Sequence, residues 1–159
     1  MASKKYIFTN KVALVTGSSS GIGAAIAIQL AQYGAKVTIT GRNSETLQKI
    51  ALKIEEVSGE KPLQILGDLA TDDSLPSKLI SETVAKYGRL DMLVNNAGLA
   101  SVNGNLASGE LMSAFDTIMK VNVRSVVELT QLAVPHLEKT KGSVVNISSV
   151  AGLKGVCLN

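Results

Sequence analysis

The sequence predicts an α/β domain in which a parallel sheet is doubly wound, with helices on both faces. Three observations carry that expectation. Short β-branched apolar runs alternate with longer stretches whose apolar residues recur every three or four positions. Glycines stand where one period gives way to the other, as helix stops and strand turns require. The strand runs are apolar along their length rather than alternating, the pattern of strands covered on both faces. Repeated βα units imply right-handed crossovers, and in such sheets ligands gather at the carboxyl ends of the strands.

The elements follow in order. KVALVTG, residues 11–17, is a first strand ending in glycine. Residues 22–33 carry Ile22, Ile26 and Leu30 at helical spacing, and Gly34 closes that helix. AKVTITG, residues 35–41, is a second strand. Ser44 is the expected N-cap of a helix whose Leu47, Ile50, Ile54 and Val57 form one apolar stripe ended by Gly59. LQILG, residues 63–67, is a third strand. Residues 75–87 form a third helix, with Pro76 in the first turn, where a missing N–H is tolerated, and Gly88 at its end. DMLVNNAG, residues 91–98, is a fourth strand and its turn. A polar loop with Asn103, Gly104, Asn105 and Gly109 leads into residues 110–139, helical as two pieces or one bent helix because Pro135 falls late in the run. SVVNI, residues 143–147, is a fifth strand.

Composition removes several classes of function. With 159 residues, 45% hydrophobic and 18% charged, the chain can bury a core and is not a disordered sequence. No apolar run approaches the ~18 residues that cross a bilayer. The opening MASKKYIFTNK is polar and basic, unlike a signal peptide, so a cytoplasmic address without membrane attachment is expected. Aromatic residues are only 3% and the basic residues are dispersed, which argues against a nucleic-acid partner. A net charge of +3 suits an anionic small ligand. The single Cys157 has no disulfide or zinc partners, so no metal site is expected. His136, the only histidine, falls late in a helix as a surface or packing residue, which leaves a Ser-His-Asp hydrolase without support.

Six motifs could carry chemistry, five at strand ends and one, KVNV, inside the helical run. TGSSSGIG, residues 16–23, joins the first strand to the first helix. Gly17 permits a tight turn, Gly21 lets a ligand approach the backbone, and Gly23 lets the helix pack on the sheet. Free N–H groups at the helix start favour a diphosphate, and the hydroxyls of Ser18, Ser19 and Ser20 add donors. The bland alternative is a tight turn only. In TGRN, residues 40–43, Gly41 and Arg42 stand where a dinucleotide fold usually places a ribose-binding acid, roughly 20 residues after the glycine motif. An acid would repel a 2′-phosphate and an arginine can bind it, so NADP(H) is expected over NAD(H). The alternative is a solvated loop arginine.

Asp68 in GDLA, residues 67–70, either accepts from an adenine amino group or makes a turn or helix cap. VNNAG, residues 94–98, offers small residues beside a flat ring and amides that can tie neighbouring strand ends together, or only a polar turn. In KVNV, Asn122 is a poor helix former that either bonds to backbone and bends the helix or holds a water. Ser148 and Ser149 follow the fifth strand, where a hydroxyl can polarise a carbonyl.

Taken together and in this order, TGSSSGIG, GDLA, NNAG, KVNV and NISSVAG resemble the short-chain dehydrogenase/reductase family, from residue 11 to about residue 155. The GSSSGIG spacing looks like its compact reductases, and the segment is similar to the 3-oxoacyl carrier-protein reductase type. The resemblance implies a Rossmann-type NAD(P)-binding domain over residues 1–159 and hydride transfer between a nicotinamide and a small carbonyl or alcohol substrate. It implies that Gly17, Ser18, Ser20, Gly21, Ile22 and Gly23 surround the pyrophosphate. Arg42 would meet the 2′-phosphate, Asp68 and Leu69 would border the adenine, and Asn95, Ala97 and Gly98 would line the cleft. Asn122 would be the catalytic asparagine supporting a relay water, and Ser149 the catalytic serine.

The family's acid/base is a tyrosine in a Tyr-x-x-x-Lys motif shortly beyond that serine. Here Tyr6, Tyr33 and Tyr87 are followed four positions later by Asn10, Val37 and Asp91. The expectation is a chain cut before that motif, with its sheet incomplete on the C-terminal side and the fifth strand left as an apolar edge. Such a chain would be marginally stable and turn over weakly or not at all. Two alternatives stay open: a non-catalytic nucleotide-binding or dimerisation module, forming a homo-oligomer through residues 110–139, and a product with no role.

Overall fold

The computed structural model describes residues 8–99 and 111–152. Strands β1 (Val12–Val15), β2 (Lys36–Gly41), β3 (Leu63–Leu66), β4 (Met92–Asn95) and β5 (Ser143–Asn146) form one parallel sheet in the order β3-β2-β1-β4-β5. Helices α1 (Gly21–Gln32), α2 (Ser44–Ser58), α3 (Leu75–Tyr87), α4 (Leu111–Met119) and α5 (Ser125–Thr140) make the crossovers. The chain winds outward from β1 to β3 and then returns to the other side of β1 at β4. The strand order therefore reverses between β1 and β4, the place where such sheets open a crevice.

β1 shows why the apolar runs are continuous. Val12, Ala13, Leu14 and Val15 are all at most 1% exposed, because alternate side chains leave a strand on opposite faces and both are covered. Val12 and Leu14 join Ile65, Leu79, Leu93 and Leu129 under α3 and α5. Val15 joins Val37, Ile39, Ile50, Ile54 and Val94 under α1 and α2.

Three helices differ in detail from the expectation. The buried face of α1 is Gly23, Ala24, Ala27 and Ala31, while Ile22 is 64% exposed. The glycine turn brings this helix so near the sheet that only small side chains fit beneath it. Asn43, not Ser44, caps α2: its extended backbone lets Oδ1 accept from the Thr46 N–H at 2.9 Å. Leu47, Ile50 and Ile54 are buried as expected, but Val57 at the end of the stripe is exposed.

The run after the polar loop is broken at a five-residue π-helical turn, Lys120–Arg124, and not at Pro135, which lies inside an unbroken α5. A π turn widens the helix by one residue and re-aims the side chain it carries, here Asn122. Residues 103, 104, 105, 109 and 110, along with Tyr6 and Cys157, lie outside the described residues. His136 is half-buried on α5. Among the described residues β5 is the outer strand beyond β4, with Val145 48% exposed.

At the amino end of the sheet Asp91 precedes β4, only 3% exposed. Its Oδ2 accepts from the Val12 N–H at 3.0 Å and Arg89 Nε at 2.7 Å, and its Oδ1 from Arg89 Nη2 at 2.7 Å and Lys11 Nζ at 3.0 Å. Tyr87 works at the same end: its hydroxyl accepts from the Leu63 N–H at 3.0 Å and donates to the Val37 carbonyl at 3.2 Å. Burial pushes its pKa up against the opposing effect of that N–H.

Candidate functional site

A cleft of about 230 Å³ opens at the carboxyl ends of β1 to β4. Its wall is built from four strand exits: Gly17, Ser19 and Ser20; Thr40, Gly41 and Arg42; Gly67, Asp68 and Leu69; and Asn96 to Leu99, with Val121 behind them.

Thr16, 1% exposed, holds the β1 and β4 exits together. Its hydroxyl accepts from the Asn96 N–H at 2.9 Å and the Ala97 N–H at 3.0 Å. In return Asn96 Nδ2 donates to the carbonyls of Thr16 at 2.9 Å and Gly17 at 3.2 Å. Against this stitched edge Gly17 turns at φ +61°, and a Cβ there would lie 2.8 Å from Ala97 Cα. Glycine is demanded twice at this position, by conformation and by space. Gly21 turns at φ +56° with nothing within 4 Å of where a Cβ would be, so this stretch of backbone faces open space. Gly23 packs its missing side chain against the Gly17 carbonyl. The N-cap of α1, Ser20, is extended and makes no side-chain capping bond, so among the described residues no side chain occupies the first-turn N–H groups.

The three serines divide by position. Ser18 is fully buried; its hydroxyl donates to the Val15 carbonyl at 2.8 Å and accepts from the Thr40 N–H at 2.9 Å, pinning the turn to β2. Ser19 and Ser20 line the cleft. Ile22 is exposed beside it without lining it.

On the β2 and β3 side, Arg42 is 64% exposed at the rim, with Nη1 3.9 Å from Asp68 Oδ2. An exposed pair at that distance is worth little and leaves the guanidinium free to meet an anion. Asp68 uses Oδ1 to accept from the Ala70 N–H at 2.9 Å, so one of its oxygens makes the turn. Thr40 Oγ1 is buried on the cleft wall with no hydrogen-bond partner among the described residues. An uncapped helix start, a bare glycine backbone, a rim arginine and an unpaired hydroxyl together fit a phosphate-bearing nucleotide.

Asn95 stands behind the wall, where Nδ2 donates to Asn146 Oδ1 at 2.9 Å and Thr130 Oγ1 at 3.3 Å, tying β4 to β5. Asn96, Ala97 and Gly98 form the surface. Both amides tie neighbouring strand ends, as the doubled asparagine predicts: Asn96 joins β4 to β1 and Asn95 joins β4 to β5. Asn122 does bond to backbone, but across the cleft's rear rather than within its own helix: Oδ1 accepts from the Leu99 N–H and Nδ2 donates to the Leu99 carbonyl, both at 2.8 Å. The side chain therefore clamps the loop after β4. Asn122→Ala is expected to speed amide hydrogen exchange at Leu99 by roughly five- to tenfold. Unchanged exchange would show that other contacts hold the loop.

Ser149 lies outside the lining. Its Oγ accepts from the Ala151 N–H at 3.2 Å at the start of a 3₁₀ turn, Val150–Gly152. Tyr33 packs edge-on against Phe8 and Tyr87 serves the amino end of the sheet, so neither faces the cleft. No group of metal-ligating side chains occurs among the described residues, and no helix there is long and apolar enough to cross a membrane.

The family model described as short chain dehydrogenase matches residues 11–159. The chain is 36% identical over 146 residues to 11-beta-hydroxysteroid dehydrogenase-like 4A of Arabidopsis thaliana, covering 92% of this chain and 48% of that protein. It is also 36% identical to the 3-oxoacyl-[acyl-carrier-protein] reductase of Thermotoga maritima, covering 91% and 58%. Glucose dehydrogenase of Caenorhabditis elegans in its apo form superposes with a TM-score of 0.77 at 44% identity, over 91% of this chain and 56% of that one. A short chain dehydrogenase of Shigella flexneri complexed with NADP superposes at 0.84 and 35% identity, over 96% and 64%. The chain spans about half the length of the curated relatives it matches. With its parallel sheet, its glycine turn at the β1/β4 reversal and a family match over residues 11–159, this chain belongs to the short-chain dehydrogenase family.

Proposed function

We propose that this chain forms the nucleotide-binding part of an NADP(H)-dependent oxidoreductase acting on a small carbonyl or alcohol. The observation that carries the proposal is the cleft at the strand reversal, with a bare glycine backbone on one side and an exposed Arg42 on the other. A bound nicotinamide dinucleotide supplies or accepts the hydride. Gly17, Gly21 and Gly23 let the pyrophosphate reach the start of α1, and Ser20 adds a hydroxyl there. Arg42 meets the 2′-phosphate, while Asp68 and Leu69 flank the adenine. Ala97 and Gly98 leave room for the nicotinamide ring, and Asn122 fixes the loop that carries them. Ser18 and Asn95 act one layer back, holding the turn to β2 and β4 to β5. Ser149 retains a hydroxyl proton that no bond among the described residues uses, and that proton can be donated to a substrate oxygen. Complexes of two similar proteins, one with NADP and one with NADPH, support the choice of nucleotide.

The test is paired titration of NADPH and NADH. Arg42→Asp is expected to weaken NADPH by about 10- to 100-fold, the loss of a charge-assisted bond, with NADH changed by no more than a few-fold. An unchanged affinity ratio would refute the assignment of Arg42 and the preference with it.

A second reading, nucleotide binding without turnover, draws on the position of Tyr33 and Tyr87 at the far end of the sheet. Neither supplies a proton at the cleft. NADPH oxidation in the presence of small ketones separates the two readings.

A further inference from the structure

Three consecutive residues of the π turn reach three different parts of the cleft wall. Val121, 5% exposed, lines the cleft together with Leu69, 8% exposed. Asn122 grips Leu99 on the loop after β4. Lys120 reaches the other way: its Nζ donates to Asp73 Oδ1 at 2.7 Å, on the loop between β3 and α3 that also carries Asp68 and Leu69. The bond and charge of Lys120, with a lesser pull from Arg124, hold the Asp73 carboxyl below the ordinary carboxylate value. Only 29% of the Lys120 side chain is exposed, so its stem lies along the protein and its ammonium is aimed.

The β3–α3 loop and the helix beyond the π turn already share a core, since Leu69 and Leu75 join Leu129 in one cluster. Apolar contact has no direction and lets one element slide over the other. A charge-assisted hydrogen bond has a direction and fixes that slide. Lys120 also closes the π turn, because its carbonyl accepts from the Ser125 N–H, so Asn122 between them moves with it. We propose that Lys120 is a positioning residue: through Asp73 it aligns the π turn, and with it the grip of Asn122 on Leu99, to the loop after β3, so that two walls of the cleft respond together. An ion pair facing water adds little stability, so the bond governs alignment rather than folding. Its consequence for binding rests on the reading that the cleft holds a nicotinamide dinucleotide: an adenosine half bound at Asp68 and Leu69 firms the loop at Leu99.

The experiment is a hydrogen-exchange cycle at the Leu99 amide of the nucleotide-free protein, run on Lys120→Met, Asp73→Asn, the double variant and Lys120→Arg, with thermal melts alongside. Lys120→Met and Asp73→Asn are each expected to speed Leu99 exchange by about two- to fourfold, and the double variant by no more than either, because all three lose the same bond. Lys120→Arg keeps the charge and should restore most of the wild-type protection. Melting temperatures should move by less than about 2 °C. Adenosine 2′,5′-bisphosphate is then added at saturation. In the wild type it should slow Leu99 exchange by about two- to threefold, a coupling no larger than the bond that carries it, and in Lys120→Met it should have no effect there. Leu99 exchange unchanged by either single variant, additive effects of the two, an equal acceleration at the amides of β1, or an equal bisphosphate effect in Lys120→Met would each overturn the proposal. If the folded wild type binds no bisphosphate, the dinucleotide reading fails and the coupling to nucleotide falls with it. The nucleotide-free cycle still decides the positioning role.

Discussion

Asp91→Asn is expected to lower the melting temperature by about 6–12 °C, the effect of losing about 3 kcal/mol from a domain of this size. The reason is the number of bonds that converge on one carboxylate. Asp91 accepts from the Val12 N–H, from both arms of Arg89 and from Lys11, and so ties the start of β1 to the start of β4. An amide keeps the shape but turns one acceptor into a donor and removes the charge, so at least two of these bonds become repulsive or absent. Lys11 and Arg89 are themselves substantially exposed, and either one alone contributes little. Lys11→Met should therefore cost far less than Asp91→Asn.

The same carboxylate gives a pH signature. Burial acts to raise its pKa, but Arg89, Lys11 and the Val12 N–H outweigh burial and hold it below the ordinary carboxylate value. A group whose folded pKa is depressed contributes its full stabilisation above the unfolded pKa, about 3.9 for aspartate, and loses it as pH falls through the folded value. The gap in stability between wild type and Asp91→Asn should thus be constant near neutrality and shrink on acidification below about pH 4. Urea melts at pH 7, 4 and 3 measure it. A gap that persists undiminished at the lowest pH, or no gap at pH 7, would show that the bonds do not carry this weight.

Gly17→Ala should abolish measurable NADPH binding and cost about 2–5 kcal/mol of stability, combining the penalty of a left-handed alanine with the clash of its Cβ. At φ +61° the methyl would meet Ala97 Cα at 2.8 Å, Ala97 N at 3.1 Å and Asn96 Nδ2 at 3.1 Å. Those atoms cannot retreat cheaply, since the Thr16 hydroxyl and carbonyl hold Asn96 and Ala97 in place. The strain must be relieved by the turn itself, which carries Ser19, Ser20 and Gly21 with it. Titration with NADPH and a urea melt of the same sample give both numbers. Affinity within threefold of wild type at an unchanged midpoint would mean that the turn has a slack the geometry denies.

Much of this arrangement is legible in the residues. The five strands and the helices between them follow from periodicity and glycine punctuation, because a strand covered on both faces must be apolar throughout and a helix covered on one face must not. The glycine turn is legible for a related reason: Gly17 and Gly21 are positions where only glycine is comfortable. Pro135 does not break the run after the polar loop; the interruption falls at Asn122, the poor helix former for which a backbone bond and a bend are expected. There Asn122 grips Leu99 through both atoms of its amide, a contact 23 residues away in sequence. The cap of α2 moved by one residue for a local reason, the extended backbone of Asn43.

The residues alone determined the parallel α/β architecture, the end of the sheet at which the cleft opens and the arginine on its rim, since these depend on hydrophobic period, glycine conformation and charge, which are local properties. Only the tertiary structure decided that Ser18 turns inward while Ser19 lines the cleft, that Asn96 rather than Asn95 faces the cleft, and that Asp91 collects four donors at the opposite end. Each of those outcomes depends on which atoms of distant strands come within bonding or contact distance. That is set by strand order and register, and no spacing along the chain encodes it.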